Sequence, residues 1–329
     1  MQTRRSALRA TIASGIAALG PAGAAMAQEF PVRGRPIVTI VPSTAGGGTD
    51  VAARLAAPLL ARELGVPVEV VNRPGASMQI GLTEAANAKP DGHTLVWSVL
   101  PTAASIYLDS ERASPFRRES LAPIAMYYGA PFGVVVRADS PHRTIADLVA
   151  AAKANPGKVR SGTTGFMSTG HFASIAFQNG TGTRMATVNF QGGGPQLQAL
   201  LGGHIDVGFN SIGELLVQHK AGAIRVIAVM DKARSELLPE VPTTSEGGHA
   251  IEPIGSDIGL SAPAQTPRPI LDRLSQAMRT IMQDPALKSR MLELGNTVSY
   301  LDAQGYATFW DAVDARFKPL IEAAKQQAK

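Results

Sequence analysis

The chain has 329 residues, a formal net charge of +5 and no cysteine. The absence of cysteine excludes disulfides, thiolate nucleophiles and Cys-ligated metals. The length suits two domains of ordinary size, each with a hydrophobic core. No basic run with interleaved aromatic residues occurs, so the composition argues against nucleic-acid binding.

The first 27 residues have the three parts of a signal peptide. Arg4, Arg5 and Arg9 precede a mildly apolar segment, and Ala25 and Ala27 are small residues suited to cleavage. We therefore expect an exported, periplasmic protein that is cleaved near Ala27/Gln28, by either the twin-arginine or the general secretory route. Cleavage would leave 28 basic and 26 acidic residues, a net charge of +2. No later apolar run reaches the roughly 20 residues of a membrane-spanning helix.

Residues 36–50, PIVTIVPSTAGGGTD, predict a strand, a glycine-rich loop and a helix. Glycine lets backbone N–H groups approach a bound anion, and the helix start adds its positive dipole end. The same pattern also serves as a tight turn without a ligand. Asp50 or Thr49 is expected to cap the helix, which we prefer to a role for Asp50 as a catalytic base. The candidate ligand contacts here are Ser43, Thr44, Ala45, Gly46, Gly47, Gly48 and Asp50.

Strands and helices alternate beyond this loop. This alternation predicts parallel βαβ units, which bind ligands at the carboxyl ends of their strands. Ser98, near the end of one strand, is therefore a candidate ligand contact. The predicted strands are 66–71, 94–99, 134–136, 205–209 and 224–230, and the predicted helices between them include 81–88 and 145–154.

Two further loops, 161–171 and 189–195, have the same character. Ser168 or Thr169 is the expected N-cap of the helix after the first of them, and Pro195 the first residue of the helix after the second. Asn210 follows another strand and is a candidate distal contact. The remaining candidates in these loops are Thr163, Ser168, Thr169, Gly170, His171, Gln191 and Gly192.

None of the three loops contains Lys or Arg. A carboxylate bound there would be held by backbone N–H groups, hydroxyls and helix dipoles, and Arg73 and Arg160 are interpreted as peripheral. His171 either donates to the ligand or bonds within its own domain. The six histidines lack paired metal-ligand spacing, and no G-x-S-x-G motif occurs, so we expect neither metal, cofactor nor catalysis.

The C-terminal third predicts an irregular stretch, a returning strand and then helices. Residues 259–263 are interpreted as a strand that returns to the first domain. Apolar stripes along 270–281, 285–295 and 309–320 are typical of helices that pack on a core.

Together these segments resemble the extracytoplasmic solute receptors of tripartite tricarboxylate transporters, also called Bug-type receptors. The resemblance covers the mature chain and rests on the order and spacing of several motifs. They are PIVTIVPSTAGGGTDVAARLAAPL, VEVVNRPGA, KPDGHTL, PGKVRSGTTG with STGHFA, NFQGGGPQLQALLGGHIDVGF, LLPEVPTTSEGG and GLSAPAQTPRPILDRL.

The resemblance implies an α/β, two-lobed periplasmic binding protein of the type II kind. Lobe 1 would comprise 28–131 and 258–329, and lobe 2 would comprise 132–257. Such a monomer would capture a small di-, tricarboxylate or aromatic acid between its lobes and deliver it to membrane transporter subunits. A sensor for a membrane kinase and a periplasmic enzyme for a small acid are the alternatives. The chain departs from the family at Ser77-Met78-Gln79, where glycines are usual, and at Asp257-Ile258, where an aromatic residue is frequent.

Overall fold

The computed structural model of the chain describes residues 30–327, and these form ten β-strands and ten α-helices. The predicted signal peptide, residues 1–27, lies outside the described residues. The strands are β1 (Ile37–Val41), β2 (Val68–Asn72), β3 (Thr94–Leu100), β4 (Leu121–Arg137), β5 (Arg160–Thr163), β6 (Ala186–Asn189), β7 (Val207–Ser211), β8 (Ile224–Val229), β9 (Gly255–Pro263) and β10 (Thr297–Leu301). The helices are α1 (Gly48–Leu64), α2 (Gln79–Ala86), α3 (Thr102–Leu108), α4 (Ile145–Ala154), α5 (Thr169–Thr181), α6 (Gly193–Leu201), α7 (Ile212–Lys220), α8 (Arg268–Ile281), α9 (Pro285–Glu293) and α10 (Ala303–Gln327).

The first sheet places β2, β1, β3, β9 and the first part of β4 side by side. β1 is parallel to β2 and β3, whereas β9 is antiparallel to both β3 and β4. Alternate residues of a strand face opposite sides of the sheet. Accordingly, Ile37 and Val41 belong to the core beneath α1, α8 and α9, and Ile40 belongs to the core beneath α2, α3 and α10.

Strand β4 connects this sheet to a second one. Its residues up to Pro131 pair with β9 and β10, and from Phe132 onward they pair with β7 and β8. The second sheet continues with β5 and β6, which run parallel to β7. β9 joins the first sheet again at Gly255. The exact lobe limits given above stay a prediction.

Several elements differ from the sequence-based expectation. Helix α3 and strand β10 were not predicted, and β4 is 17 residues long where only 134–136 were expected. Register shifts interrupt the pairing of β4, so its apolar residues do not follow a simple period of two. Helix α6 begins at Gly193, which makes Pro195 its third residue, so the prediction that Pro195 is the first was wrong.

Helix α10 ties the two sheets together on one side. It packs against β4 and α3 and also against α5 of the second sheet, where the rings of Phe317 and Phe172 meet edge to face with centroids 5.4 Å apart. Among the helices of residues 30–327, none has the length and apolar character required to cross a membrane.

Candidate functional site

Loops at the strand ends of the two sheets meet beside the β4 crossing. The Thr102 and Thr169 hydroxyl oxygens are 3.4 Å apart, and Ser256 donates to the Thr169 hydroxyl at 3.1 Å. Ser105 donates to the carbonyl of Met167 at 3.2 Å. We call the space bordered by these contacts and by the starts of α1, α5 and α6 the interlobe cleft.

The loop after β1 opens directly into α1. Gly47 is the N-cap and supplies no side-chain bond, so the prediction that Asp50 or Thr49 caps the helix was wrong. Asp50 is instead the third residue of the helix. Its carboxylate folds back and accepts the Gly46 N–H at 2.8 Å. The first N–H groups of α1 have no acceptor within the helix.

Asp50 is the centre of a buried brace behind this loop. Arg54 donates to both of its oxygens, at 3.1 and 3.0 Å, and Asn72 donates to it at 3.0 Å. Asn72 also donates to the carbonyl of Ser43. Burial alone would raise the pKa of Asp50, but the bonds from Arg54, Gly46 and Asn72 outweigh it and lower the pKa. The acid stays ionised, and Arg54 balances its charge.

The backbone angle requires glycine at one of the three glycine positions of this loop but not at the other two. Gly46 has φ +82°, which disfavours any side chain. Gly47 has φ −73°, and a Cβ there would meet only the Thr44 carbonyl, at 3.5 Å. A Cβ on Gly48 would meet nothing within 4 Å. Packing and backbone angles therefore do not require glycine at 47 and 48, although glycine is a better N-cap than alanine or valine at 47.

The remaining candidates of this loop are open to solvent or lack a partner. Thr44, Ala45 and Gly46 are exposed. The Ser43 hydroxyl is buried and has no hydrogen-bond partner among the described residues. An unsatisfied buried hydroxyl costs about 1–3 kcal/mol. This hydroxyl is thus available to a polar group that enters the loop.

The loop after β5 contacts helix α3 and strand β9. Ser168 caps α5, as predicted, by accepting the His171 N–H, and Thr169 is buried with its hydroxyl turned to Thr102 and Ser256. Gly170 is needed for packing, because a Cβ there would lie 2.7 Å from the Thr164 hydroxyl. Thr163 is buried and donates to the Asn189 amide oxygen at 2.6 Å. Of these residues, Thr169 lies nearest to the first sheet.

His171 is held within its own half of the molecule. Its Nδ1 accepts the Met167 N–H at 3.1 Å, so the neutral ring carries its proton on Nε2. Burial lowers the pKa of His171 to about 4. The side chain is therefore neutral near pH 7 and can offer one N–H donor, and ligand contact by His171 stays a prediction.

The loop after β6 faces an acid that sequence reasoning missed. Gly192, with φ +113°, caps α6, and Gln191 is exposed. A Cβ on Gly193 would lie 1.6 Å from Oε2 of Glu214, on the first turn of α7. Glu214 thus occupies the space in front of this glycine. Asn210 is buried and bonds the Glu214 carboxylate and the Gln196 amide oxygen, so its own side chain is already engaged.

Three other residues lie away from the cleft. Ser98 is fully buried inside the first sheet and donates to the Ser261 hydroxyl at 3.2 Å. Arg73 pairs with Glu84, and Arg160 pairs with Asp206, at the surface. Both arginines brace their own halves of the molecule. In the described part of the chain, no three His, Asp or Glu side chains come together in a way that could hold a metal ion.

The turn after β2 has no glycine at positions 76–78 but adopts glycine-like angles. Ala76, Ser77 and Met78 have φ of 46°, 50° and 76°. Such left-handed angles cost roughly 1–2 kcal/mol per non-glycine residue. Arg112 holds the turn by donating to the Ala76 carbonyl and to the Gln79 side chain.

The polar residues Thr102, Ser105, Ser256 and Glu214 were not among the candidates. The run PTAAS at the end of β3 was a usable signal, because small polar residues follow a strand there. The sequence contains no comparable signal for Glu214. An acid in the first turn of a helix is common, because it interacts favourably with the helix dipole.

Two α/β sheets that share the long strand β4 are the architecture of a two-lobed solute-binding protein. The sequence profile of the tripartite tricarboxylate transporter family receptor matches residues 52–325. The UPF0065 protein in gbd 5'region of Cupriavidus necator is 34% identical over 326 residues, which cover 98% of each chain. The chain therefore belongs to the tripartite tricarboxylate transporter receptor family.

Solved structures have the same fold. A TctC solute binding protein from Polaromonas is 31% identical, with a TM-score of 0.74 over 90% of this chain and 100% of that one. MatC from Rhodopseudomonas palustris, with bound malate, is 27% identical, with a TM-score of 0.78 over 89% of this chain and 100% of that one. These likenesses confirm the predicted family and the predicted two-lobed α/β class.

Proposed function

We propose that the protein is a periplasmic receptor that binds a small organic carboxylate in the interlobe cleft and delivers it to a tripartite tricarboxylate-type membrane transporter. It acts as a monomer and without catalysis. Residues 1–27 direct its export and are removed near Gln28. Family membership and the malate in a related receptor support this class of ligand.

One observation carries the proposal. Gly47 is the N-cap of α1 and Gly48 is its first residue. Both have ordinary backbone angles, and a Cβ on either would meet no atom closer than 3.5 Å. Glycine at these positions leaves room for an anion to approach the backbone N–H groups of the helix start. The brace around Asp50 holds the loop from behind, so an oxyanion meets fixed dipoles that need little reorganisation.

The opposite wall of the cleft supplies hydroxyls. Thr169 lies at the start of α5 with its hydroxyl between the two sheets, and Ser168 orients that helix start. A ligand held by both walls favours a closed arrangement of the lobes over an open one.

Calorimetry with malate, succinate, glutarate, glutamate and benzoate, each compared with its amide, tests the proposal. At least one acid is expected to bind with a much greater affinity than its amide. Gly47→Val should abolish that binding and lower the melting temperature only slightly, since valine is a poorer N-cap than glycine. Binding that is equal for acid and amide, or unchanged in Gly47→Val, would contradict the assignment of this loop.

A further inference from the structure

Glu214 is an acid without a cation in the cleft. Glu214 is exposed to solvent on one side. The protein around the rest of its side chain still removes enough water to raise the pKa of the carboxyl. Those two properties together are typical of a residue that lines a cleft. Among residues 30–327, no Lys or Arg forms an ion pair with it, and its one hydrogen-bond partner is the Asn210 amide.

The Glu214 carboxylate faces the first sheet. Burial chiefly, and the charge of Glu214 in addition, raise the pKa of the Tyr128 hydroxyl on β4. Tyr128 in turn is hydrogen-bonded to the side chain of Thr49, which follows Gly47 and Gly48. Glu214 therefore lies across the cleft from the start of α1. A ligand whose carboxylate rests on Gly47 and Gly48 brings its next polar group towards this acid.

The position of Glu214 is fixed by a buried polar chain. Gln196 is fully buried and donates to the carbonyls of Gly162 and Phe209, at 3.0 and 3.3 Å. Its amide oxygen accepts from Asn210, which is 1% exposed and whose amide also bonds Glu214. Buried networks with every member satisfied hold their side chains in one arrangement. Glu214 is thus a fixed part of the cleft wall.

The charges near the β4 crossing bear on which second group of the ligand the cleft accepts. Asp257 lies on β9 beside Gly129, where the charges of Asp231 and Arg316 both act on it. One arginine therefore accompanies two aspartates, and the three glycine-rich loops contain no cationic residue. A second carboxylate on the ligand that approached Glu214 would meet an acid and no cation from these loops.

We propose that the ligand is a carboxylate that also carries an ammonium or amide N–H group, and that Glu214 accepts a hydrogen bond from that group. This inference rests on the proposed function and specifies the class of substrate for the same cleft. Asn210 and Gln196 are positioning residues for Glu214. A plain dicarboxylate of the same length is disfavoured.

Calorimetry with two matched pairs tests the inference: glutamate against glutarate, and 4-aminobutyrate against butyrate. Each pair differs by one ammonium group. We expect the amino acid of at least one pair to bind at least tenfold more tightly than its partner. Glu214→Gln should reduce that affinity at least tenfold, because it removes the charge and keeps the shape. Glu214→Asp, which keeps the charge but withdraws it, should lose part of the affinity, and the surface variant Glu236→Gln should lose none.

The outcomes separate the two proposals. Tight binding of glutarate or butyrate that is lost in Gly47→Val but unchanged in Glu214→Gln would overturn the inference and leave the carboxylate receptor standing. If none of these acids nor malate bound to the protein, the proposed function would fail and the inference with it.

Discussion

The two glycine triplets of the chain, Gly46–Gly48 and Gly192–Gly194, have similar sequences and different surroundings. Each precedes or opens a helix whose N-cap is glycine and supplies no side-chain bond. Behind the first triplet, Asp50 is paired with Arg54, and the space in front of Gly48 is free. In front of the second triplet lies Glu214, which forms no ion pair with a Lys or Arg of the described residues. The comparison teaches that two helix starts of similar sequence can differ in whether a distant residue occupies the space in front of them.

The difference in acid pairing gives the largest expected effect. Asp50→Asn should destabilise the fold by about 3 kcal/mol, because Arg54 and the Gly46 N–H lose a buried, charged partner. Glu214→Gln should leave the free energy of unfolding equal or higher at pH 7, because it removes a charge that burial disfavours. Urea denaturation of both variants measures this. Similar losses in both would mean that the two acids play the same structural role.

Valine substitutions test which triplet is open to the ligand. Gly47→Val should weaken carboxylate binding at least a hundredfold, about 2.7 kcal/mol, since its side chain would occupy the approach to the α1 start. Gly194→Val should change the affinity less than threefold, although its Cβ also enters free space. Calorimetry measures both affinities, and circular dichroism controls for folding. A hundredfold loss in Gly194→Val would show that the second triplet binds the ligand too.

A pH series extends the comparison to Asp257. Burial chiefly raises its pKa to about 7, with Arg316 opposing and Asp231 reinforcing. Because the folded protein keeps this proton to a higher pH than the unfolded chain, stability should fall as the pH rises from about 4 to about 7. Asp257→Asn should therefore gain roughly 2 kcal/mol at pH 8, allowing for partial solvent exposure, and nothing near pH 3.5. Equal effects of Asp257→Asn on stability at both pH values would show that the pKa of the Asp257 carboxyl is not raised.

The smallest effects are expected from the peripheral arginines. Arg73→Ala and Arg160→Ala each break a surface ion pair and should change the free energy of unfolding by less than about 1 kcal/mol. Ligand affinity should fall only a few-fold up to roughly 0.5 M salt, since fixed dipoles in a closed cleft are weakly screened. A hundredfold loss in either variant would show that an arginine holds the carboxylate.

The sequence predicted those elements whose signals are local. Helix α4 was predicted at 145–154 from the alternation of strands and helices, and the structure shows a local signal at its start, a capping box formed by Thr144 and Asp147. Gly65 ends α1 in a left-handed conformation, as a helix C-cap glycine does. Helix α3 has no side-chain cap, and β10 is half-buried along its whole length, so neither left a periodic pattern to detect.

The same distinction between local signals and long-range contacts applies to the candidate site. The sequence by itself determined that glycines and hydroxyls would stand at strand ends and that the loops would carry no cation, because residue type and spacing fix these properties. Only the tertiary structure decided that Gly46 donates its N–H to Asp50, that Ser98 stays inside the sheet, and that Glu214 closes off the third loop. Each of these depends on contacts between segments far apart in the chain, and no local pattern records which charge a distant helix will place in front of a loop.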